Sequence, residues 1–161
     1  MNMTSARTLS VNAAPVRETC GDLVTKTAPP DAAKNRARIL IADDNTFMRY
    51  SVSQLIGLEA GLEVVGEAVN GEDAVSLARS LRPDIVIMDI NMPLMGGIEA
   101  TVLIKAEQPK TQVVGFSLSG EHDIRTRMLK AGAVDLLDKG ESASKLVPTL
   151  HRLWAERGSS R

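Results

Sequence analysis

Asp84-Ile85-Val86-Ile87-Met88-Asp89-Ile90-Asn91-Met92-Pro93-Leu94-Met95-Gly96-Gly97 is the stretch that decides the fold. An unbroken apolar run stops on a carboxylate, and a Pro/Gly-rich turn follows at once. Apolar residues without alternation suit a strand covered on both faces, as in the middle of a parallel sheet. Such a strand presents Asp89 at its carboxyl end, the edge where open α/β sheets hold their ligands. Nearer the N-terminus, Arg38-Ile39-Leu40-Ile41-Ala42 has the same character and ends on Asp43-Asp44. If the two runs are neighbours, three carboxylates meet at one edge.

The same pattern repeats along the chain. Strands are expected near residues 38–42, 63–68, 84–88, 112–117 and 134–137. Between them run segments of helical period, with faces made by Met48, Val52, Leu55 and Ile56; by Ala74, Val75, Ala78 and Leu81; and by Ile98, Val102 and Ala106. Ile124, Met128 and Ala131 suggest a fourth helix, and Leu146, Leu150, Leu153 and Trp154 a fifth. Gly61, Asn70-Gly71, Pro83, Gly96-Gly97, Pro109, Gly120 and Gly132 punctuate the joints. Five strands alternating with five helices predict an α/β fold, a doubly wound five-stranded parallel sheet with helices on both faces. Residues 1–36, with Pro15 and Pro29-Pro30, show no sustained period and are expected to form a flexible extension. The folded unit is expected at 37–157, with 158–161 as a short tail.

Bulk properties narrow the function classes. The 161 residues are 43% hydrophobic, 24% charged and only 2% aromatic, with a formal net charge of -1. Few aromatics and no positive excess argue against direct nucleic-acid binding and against an anionic membrane surface. Cys20 is the single cysteine, so a disulfide framework and a thiolate metal site are both excluded. No apolar run approaches a membrane span, and a cytoplasmic location is expected. His122 and His151 have no partners at ligand spacing and are expected at the surface; Met92 and Met95 are expected to pack the loop.

The three acids have two readings. One is capping: Asp44 or Asn45 caps a helix beginning near Thr46, Asp43 is solvated, and Asp89 initiates a turn. The other is electrostatic. Three close carboxylates raise one another's pKa unless a cation intervenes. Mg²⁺ takes a few carboxylates while keeping waters and a phosphate oxygen. Asp89, held ionised by such an ion, would be a nucleophile that forms an acyl phosphate. Phosphoryl transfer then needs hydrogen-bonding and cationic groups nearby. Ser117 closes the fourth strand and Lys139 follows the fifth, so both fall on the same rim.

As a set, Ile39-Leu40-Ile41-Ala42-Asp43-Asp44-Asn45, the 83–93 stretch ending in Pro93, Val113-Val114-Gly115-Phe116-Ser117-Leu118-Ser119, Lys130-Ala131-Gly132-Ala133 and Leu137-Asp138-Lys139 resemble the receiver domain of two-component response regulators. Phe-Ser-Leu-Ser at strand 4 and Gly140 after Lys139 are similar to NarL/FixJ-type receivers. The resemblance implies a flavodoxin-like fold of strand order 2-1-3-4-5. It implies Asp89 as phosphoacceptor, Asp43 and Asp44 as organisers of Mg²⁺ with the Asn91 carbonyl as a further ligand, Ser117 as switch hydroxyl and Lys139 as phosphate contact. It also implies a histidine kinase or histidine phosphotransfer protein as donor, helix 1 (about Thr46 to Leu58) as the kinase-facing element, a downstream protein partner, and homodimer formation on phosphorylation. Asn91 and Ser119 would flank the phosphoryl group and govern access of water.

Two departures stand out. Leu136 occupies the position, three before the lysine, where receivers carry Tyr or Phe. Pro148 lies inside the last helix if that helix starts at Ser142, but in its first turn if it starts near Ser144. Rival readings remain: a phosphorylation-independent interaction module, the receiver piece of a DNA-binding regulator, or an aspartyl-phosphate phosphatase. The phosphatase pattern puts its nucleophile after the first strand with a second acid two residues on, whereas here the nucleophile follows strand 3 and position 91 is Asn.

Overall fold

A computed structural model describes residues 35–118 and 122–158. Most of the expected extension, with Cys20, lies outside the described residues, as do Ser119, Gly120, the His122 side chain and 159–161. The elements run β1 (Ala37–Ala42), α1 (Thr46–Gly57), β2 (Leu62–Ala68), α2 (Gly71–Leu81), β3 (Ile85–Asp89), α3 (Gly97–Glu107), β4 (Gln112–Ser117), α4 (His122–Lys130), β5 (Asp135–Asp138) and α5 (Ser142–Gly158). The strands form one sheet in the order β2-β1-β3-β4-β5, every neighbouring pair parallel.

Side-chain alternation divides the core into two layers. Leu40, Ala42, Val86, Met88, Val113 and Leu136 pack beneath α2, α3 and α4. Ile39, Ile41, Ile85, Ile87, Val114, Phe116 and Leu137 pack beneath α1 and α5, against Val52, Ile56, Leu146, Leu150 and Leu153. Each Val, Leu, Ile, Met or Phe among them contributes roughly 1.5–3 kcal/mol on burial. Continuing the two-residue period past the strand ends puts Asp43 with Ile41, Asp89 with Ile87 and Lys139 with Leu137, all toward the α1/α5 layer. The chain leaves β1 in one direction along the sheet and β3 in the other, so Asp43 and Asp89 flank the crevice where the strand order reverses.

Four details differ from, or refine, the sequence expectation. Asp84 lies before β3 rather than in it, because its carboxylate accepts the Arg38 N–H at 2.9 Å and pairs with Arg157 at 3.1 Å. Asp89 is instead the last residue of the strand. In α3 the buried positions are Gly97, Ala100, Thr101 and Ile104, while Val102 is 49% exposed and Ala106 is exposed. The cause is close approach: a Cβ at Gly97 would collide with the Asp89 carbonyl oxygen. Gly97 therefore sets the rotation of α3 as well as ending the loop. Finally, α5 begins at Ser142, so Pro148 lies inside it and has no N–H to offer the Ser144 carbonyl.

Gly97→Ala is expected to destabilise the protein by about 1–3 kcal/mol through overpacking against β3. Gly57→Ala has open space around its new methyl and is expected to stabilise α1 by up to about 1 kcal/mol. Chemical denaturation of the two variants beside the wild type checks both signs.

Candidate functional site

The end of β1 holds Asp43 by its backbone and by one carboxylate oxygen. Its N–H donates to the Ala68 carbonyl at 3.1 Å, and its Oδ1 accepts the Asn45 N–H at 2.8 Å. Asn45 Oδ1 in turn accepts the Met48 N–H at 3.1 Å, so Asn45 caps α1. The capping reading is thus right about Asn45, and Asp43 is not solvated: it is 2% exposed. Asp44 is exposed, and its carboxylate makes no hydrogen bond or ion pair with the described residues. Asp89 is 5% exposed, and its Oδ1 accepts the Ile90 N–H at 2.7 Å.

Lys139 begins a short 3-10 turn, Lys139–Glu141, directly after β5. Its Nζ stands 2.7 Å from Asp43 Oδ2 and 3.0 Å from Asp89 Oδ2, with the Phe116 ring centroid 5.8 Å away. The Asp43 contact is an ion pair without hydrogen-bond directionality, since Asp43 Oδ2 is a buried oxygen that receives no well-angled donor. Burial pushes the Asp89 carboxyl above its ordinary range; Lys139 and the Ile90 N–H pull it down, Asp43 pushes it up, and the balance stays upward. Burial alone would lower the Lys139 ammonium, but Asp43 and Asp89 outweigh it and hold its pKa above the usual lysine value.

One carboxylate oxygen from each of Asp43, Asp44 and Asp89 lies within 4.8 Å of the others. Among the described residues, the Lys139 ammonium is the cation paired with two of these acids, Asp43 and Asp89. The under-coordinated Asp43 oxygen, the raised Asp89 and the all-oxygen donor set fit a hard divalent cation, which Asp43, Asp44 and Asp89 would hold. Ser117 ends β4, is 1% exposed, and sits in register with Asp138, one residue beyond the Phe116 that faces Asp89. Asn91 is exposed, with its N–H 3.5 Å from Asp89 Oδ1. Met92 and Met95 are partly buried against the α2–α4 core layer, as expected. His151 is partly exposed and pairs with Glu59 at 3.2 Å.

Sequence reasoning missed Arg49. It lies on the buried side of α1 with Val52 and Ile56, and its Nη1 donates to the Asp43 carbonyl at 2.8 Å. Its Nε donates to Glu67 Oε2 at 3.2 Å and its Nη2 to Thr46 Oγ1 at 3.3 Å. A cation three residues before Val52 on an otherwise apolar stripe was the available signal.

Comparison with known proteins agrees with this geometry. The family model described as the response regulator receiver domain matches residues 39–151. The chain is 38% identical over 119 residues to the nitrate/nitrite response regulator protein NarL of Escherichia coli, covering 74% of this chain and 55% of NarL. It is 40% identical over 116 residues to the chemotaxis protein CheY of Thermotoga maritima, covering 72% of this chain and 96% of CheY. The chain thus spans about half the length of relatives such as NarL and nearly all of that CheY. Among solved structures, the response regulator domain of Thermotoga maritima CheB superposes with a TM-score of 0.70 at 32% identity, covering 74% of this chain and 97% of that one. The CheY of Borrelia burgdorferi, in a complex with CheX, BeF3 and Mg, superposes with a TM-score of 0.63 at 26% identity, covering 71% and 89%. With its sheet order, its acidic crevice and these relatives in agreement, the chain belongs to the response regulator receiver domains, in a form similar to NarL.

Proposed function

We propose that this receiver is a phosphoryl-accepting switch in which Asp89 takes the phosphoryl group, with residues 37–157 as the switching unit and 1–36 as an appended extension. The observation that carries the reading is the convergence of Asp43, Asp44, Asp89 and Lys139 on one crevice at the carboxyl edge of the sheet. Receiver domains as a family bind Mg²⁺ at an acidic pocket and interact with histidine kinases and phosphotransfer proteins. Here Asp43, Asp44 and Asp89 would hold the ion, with the Asn91 carbonyl as a further ligand. When bound, Mg²⁺ supplies charge neutralisation to the acids and to the incoming phosphoryl oxygens.

A carboxylate oxygen of Asp89 attacks phosphorus; the P–O bond forms as the bond to the donor's histidine nitrogen breaks, and the imidazole leaves with the electron pair. The ammonium of Lys139, held between Asp43 and Asp89, needs only to turn toward the new phosphoryl oxygens to neutralise part of their charge. The Ser117 hydroxyl, on the adjacent strand end, becomes a hydrogen-bond donor to the phosphoryl group. Donor and output partner are read as a histidine kinase or phosphotransfer protein and a protein that prefers one of the two states. Among the described residues no helix is long and apolar enough to cross a membrane.

Incubation with acetyl phosphate and Mg²⁺ is expected to add the mass of one phosphoryl group to the intact wild-type protein, labile to hydroxylamine, and to leave Asp89→Ala unmodified. Equal modification of that variant overturns the assignment of Asp89.

The upward shift of Asp89 yields a second expectation. Its folded-state pKa lies above the unfolded value near 3.8, so the folded protein binds this proton more tightly. Stability is then lost as pH rises from the unfolded pKa through the folded one. Without divalent cations, Asp89→Asn is expected to be more stable than the wild type at pH 7. The gap should close below about pH 4. Adding Mg²⁺ at ten times its Kd should stabilise the wild type by about 1.4 kcal/mol. The same Mg²⁺ concentration should stabilise the Asp89→Asn variant less, because one anionic ligand is gone. Thermal melts across pH, with and without Mg²⁺, test both the sign and the window.

A further inference from the structure

We propose that Arg49 is a positioning residue for the divalent cation: it fixes the peptide between Asp43 and Asp44, and through it the direction of the exposed Asp44 carboxylate. The inference rests on reading Asp43, Asp44 and Asp89 as a cation site.

The argument starts from what holds each acid. Asp89 is the last residue of a paired strand, opposite Phe116, and Asp43 is fixed through its N–H to Ala68 and its Oδ1 to Asn45. Asp44 has no partner for its carboxylate among the described residues, so its aim depends on its backbone alone. The carbonyl of Asp43 belongs to the planar peptide that leads into Asp44. Arg49 Nη1 takes that carbonyl at 2.8 Å in a buried contact and thereby sets the tilt of the plane. The guanidinium is itself constrained at two further corners, by Glu67 on β2 and Thr46 on α1. Three bonds in different directions immobilise a planar fork in a way that a single ammonium cannot match.

The charge arrangement supports positioning over simple attraction or repulsion. The Arg49 side chain is 11% exposed, and a cation so placed is costly unless paired. Glu67, 42% exposed at the edge strand, supplies the pairing. The pair is therefore close to neutral as seen from the acidic crevice. If Arg49 acted only as a positive charge near the acids, removing it would strengthen cation binding. If it acts by holding the Asp43–Asp44 peptide, removing it weakens binding, and weakens Mg²⁺ more than Ca²⁺. Mg²⁺ demands near-ideal octahedral geometry at short distance, whereas Ca²⁺ accepts irregular shells. A shift in the ratio of the two affinities is a signature that lost stability or lost charge does not produce.

Isothermal titration of the full chain with Mg²⁺ and with Ca²⁺, well below the melting temperature, tests this. Arg49→Met is expected to bind Mg²⁺ about tenfold more weakly, or worse, with a smaller loss for Ca²⁺. Arg49→Lys should recover part of the loss by keeping one bond to the Asp43 carbonyl. Glu67→Gln, a surface change, should weaken Mg²⁺ by about two- to threefold, as expected for a group one step further out. If Arg49→Met does not fold, as judged by circular dichroism, Glu67→Gln decides, and unchanged affinity there overturns the inference. A wild-type chain that binds Mg²⁺ beside an Arg49→Met chain that binds it equally or more tightly overturns this inference alone. A wild-type chain that takes up no Mg²⁺ overturns the cation-site reading and this inference with it.

Discussion

The rest of the site depends on one crowded contact, the Lys139 ammonium lodged between Asp43 and Asp89. All three groups are nearly removed from water, so each would be expensive in its charged form if alone. Together they satisfy one another incompletely, because Asp43 Oδ2 still receives no directed hydrogen bond and Asp89 keeps a raised pKa. Replacing such a group with apolar side chains of like volume would commonly be neutral or stabilising. The arrangement therefore makes little sense as a device for stability. On the proposed reading it makes physical sense as a place where a divalent cation held by Asp43, Asp44 and Asp89 would relieve a standing charge imbalance.

The sheet makes this crowding possible without unfolding the edge. Two-residue alternation carries Asp43, Asp89 and Lys139 to the same side as Ile41, Ile87 and Leu137, so the charged groups cap an apolar layer that is already formed. Gly97 lets α3 come against the Asp89 carbonyl, and Gly71 gives the same closeness to Met95, where a Cβ would collide with the Met95 carbonyl oxygen. Those two contacts hold the loop after β3 against the crevice from both ends. Leu94, in that loop, has φ of 66° and is 80% exposed. A branched side chain in the left-handed region, with nothing to bury, is backbone strain stored in the loop that follows Asp89.

What could be read from the sequence divides along a physical line. Asp43, Asp89, Ser117 and Lys139 were legible because each stands at the end of an apolar run, and strand ends are fixed by one-dimensional pattern. Strand order came instead from the resemblance that the motif set carries, and the sheet has that order. The rotation of α3 was not legible: Ile98, Val102 and Ala106 satisfy the helical period as well as Ala100, Thr101 and Ile104, and only the tertiary contact at Gly97 selects between them. Arg49 was missed for a related reason. A long polar side chain on an apolar stripe reads as a flaw until the carbonyl and carboxylate it reaches are seen in three dimensions.

Leu136 raises the question of how an event at Asp89 would reach the far surface without an aromatic ring to turn. The side chain is buried in the α2–α4 layer, near Gly115 and Met128, and has little freedom. Its backbone is what connects outward: the Leu136 carbonyl accepts Arg125 Nη1 from α4 at 2.9 Å, and Arg125 Nη2 takes Asp135 Oδ1 at 2.8 Å. Arg152 of α5 approaches the other oxygen of Asp135 at 3.8 Å. Helices on both sides thus grip one four-residue edge strand whose last turn carries Lys139. An edge strand has a ladder on one side only, so β5 is the least restrained strand that touches the site. On the proposed reading, drawing Lys139 toward a phosphoryl group would pull on that strand, and the two arginines would pass the pull to α4 and α5. A signal carried this way would run through backbone and ion pairs, which would make the missing ring a change of route within the same surface.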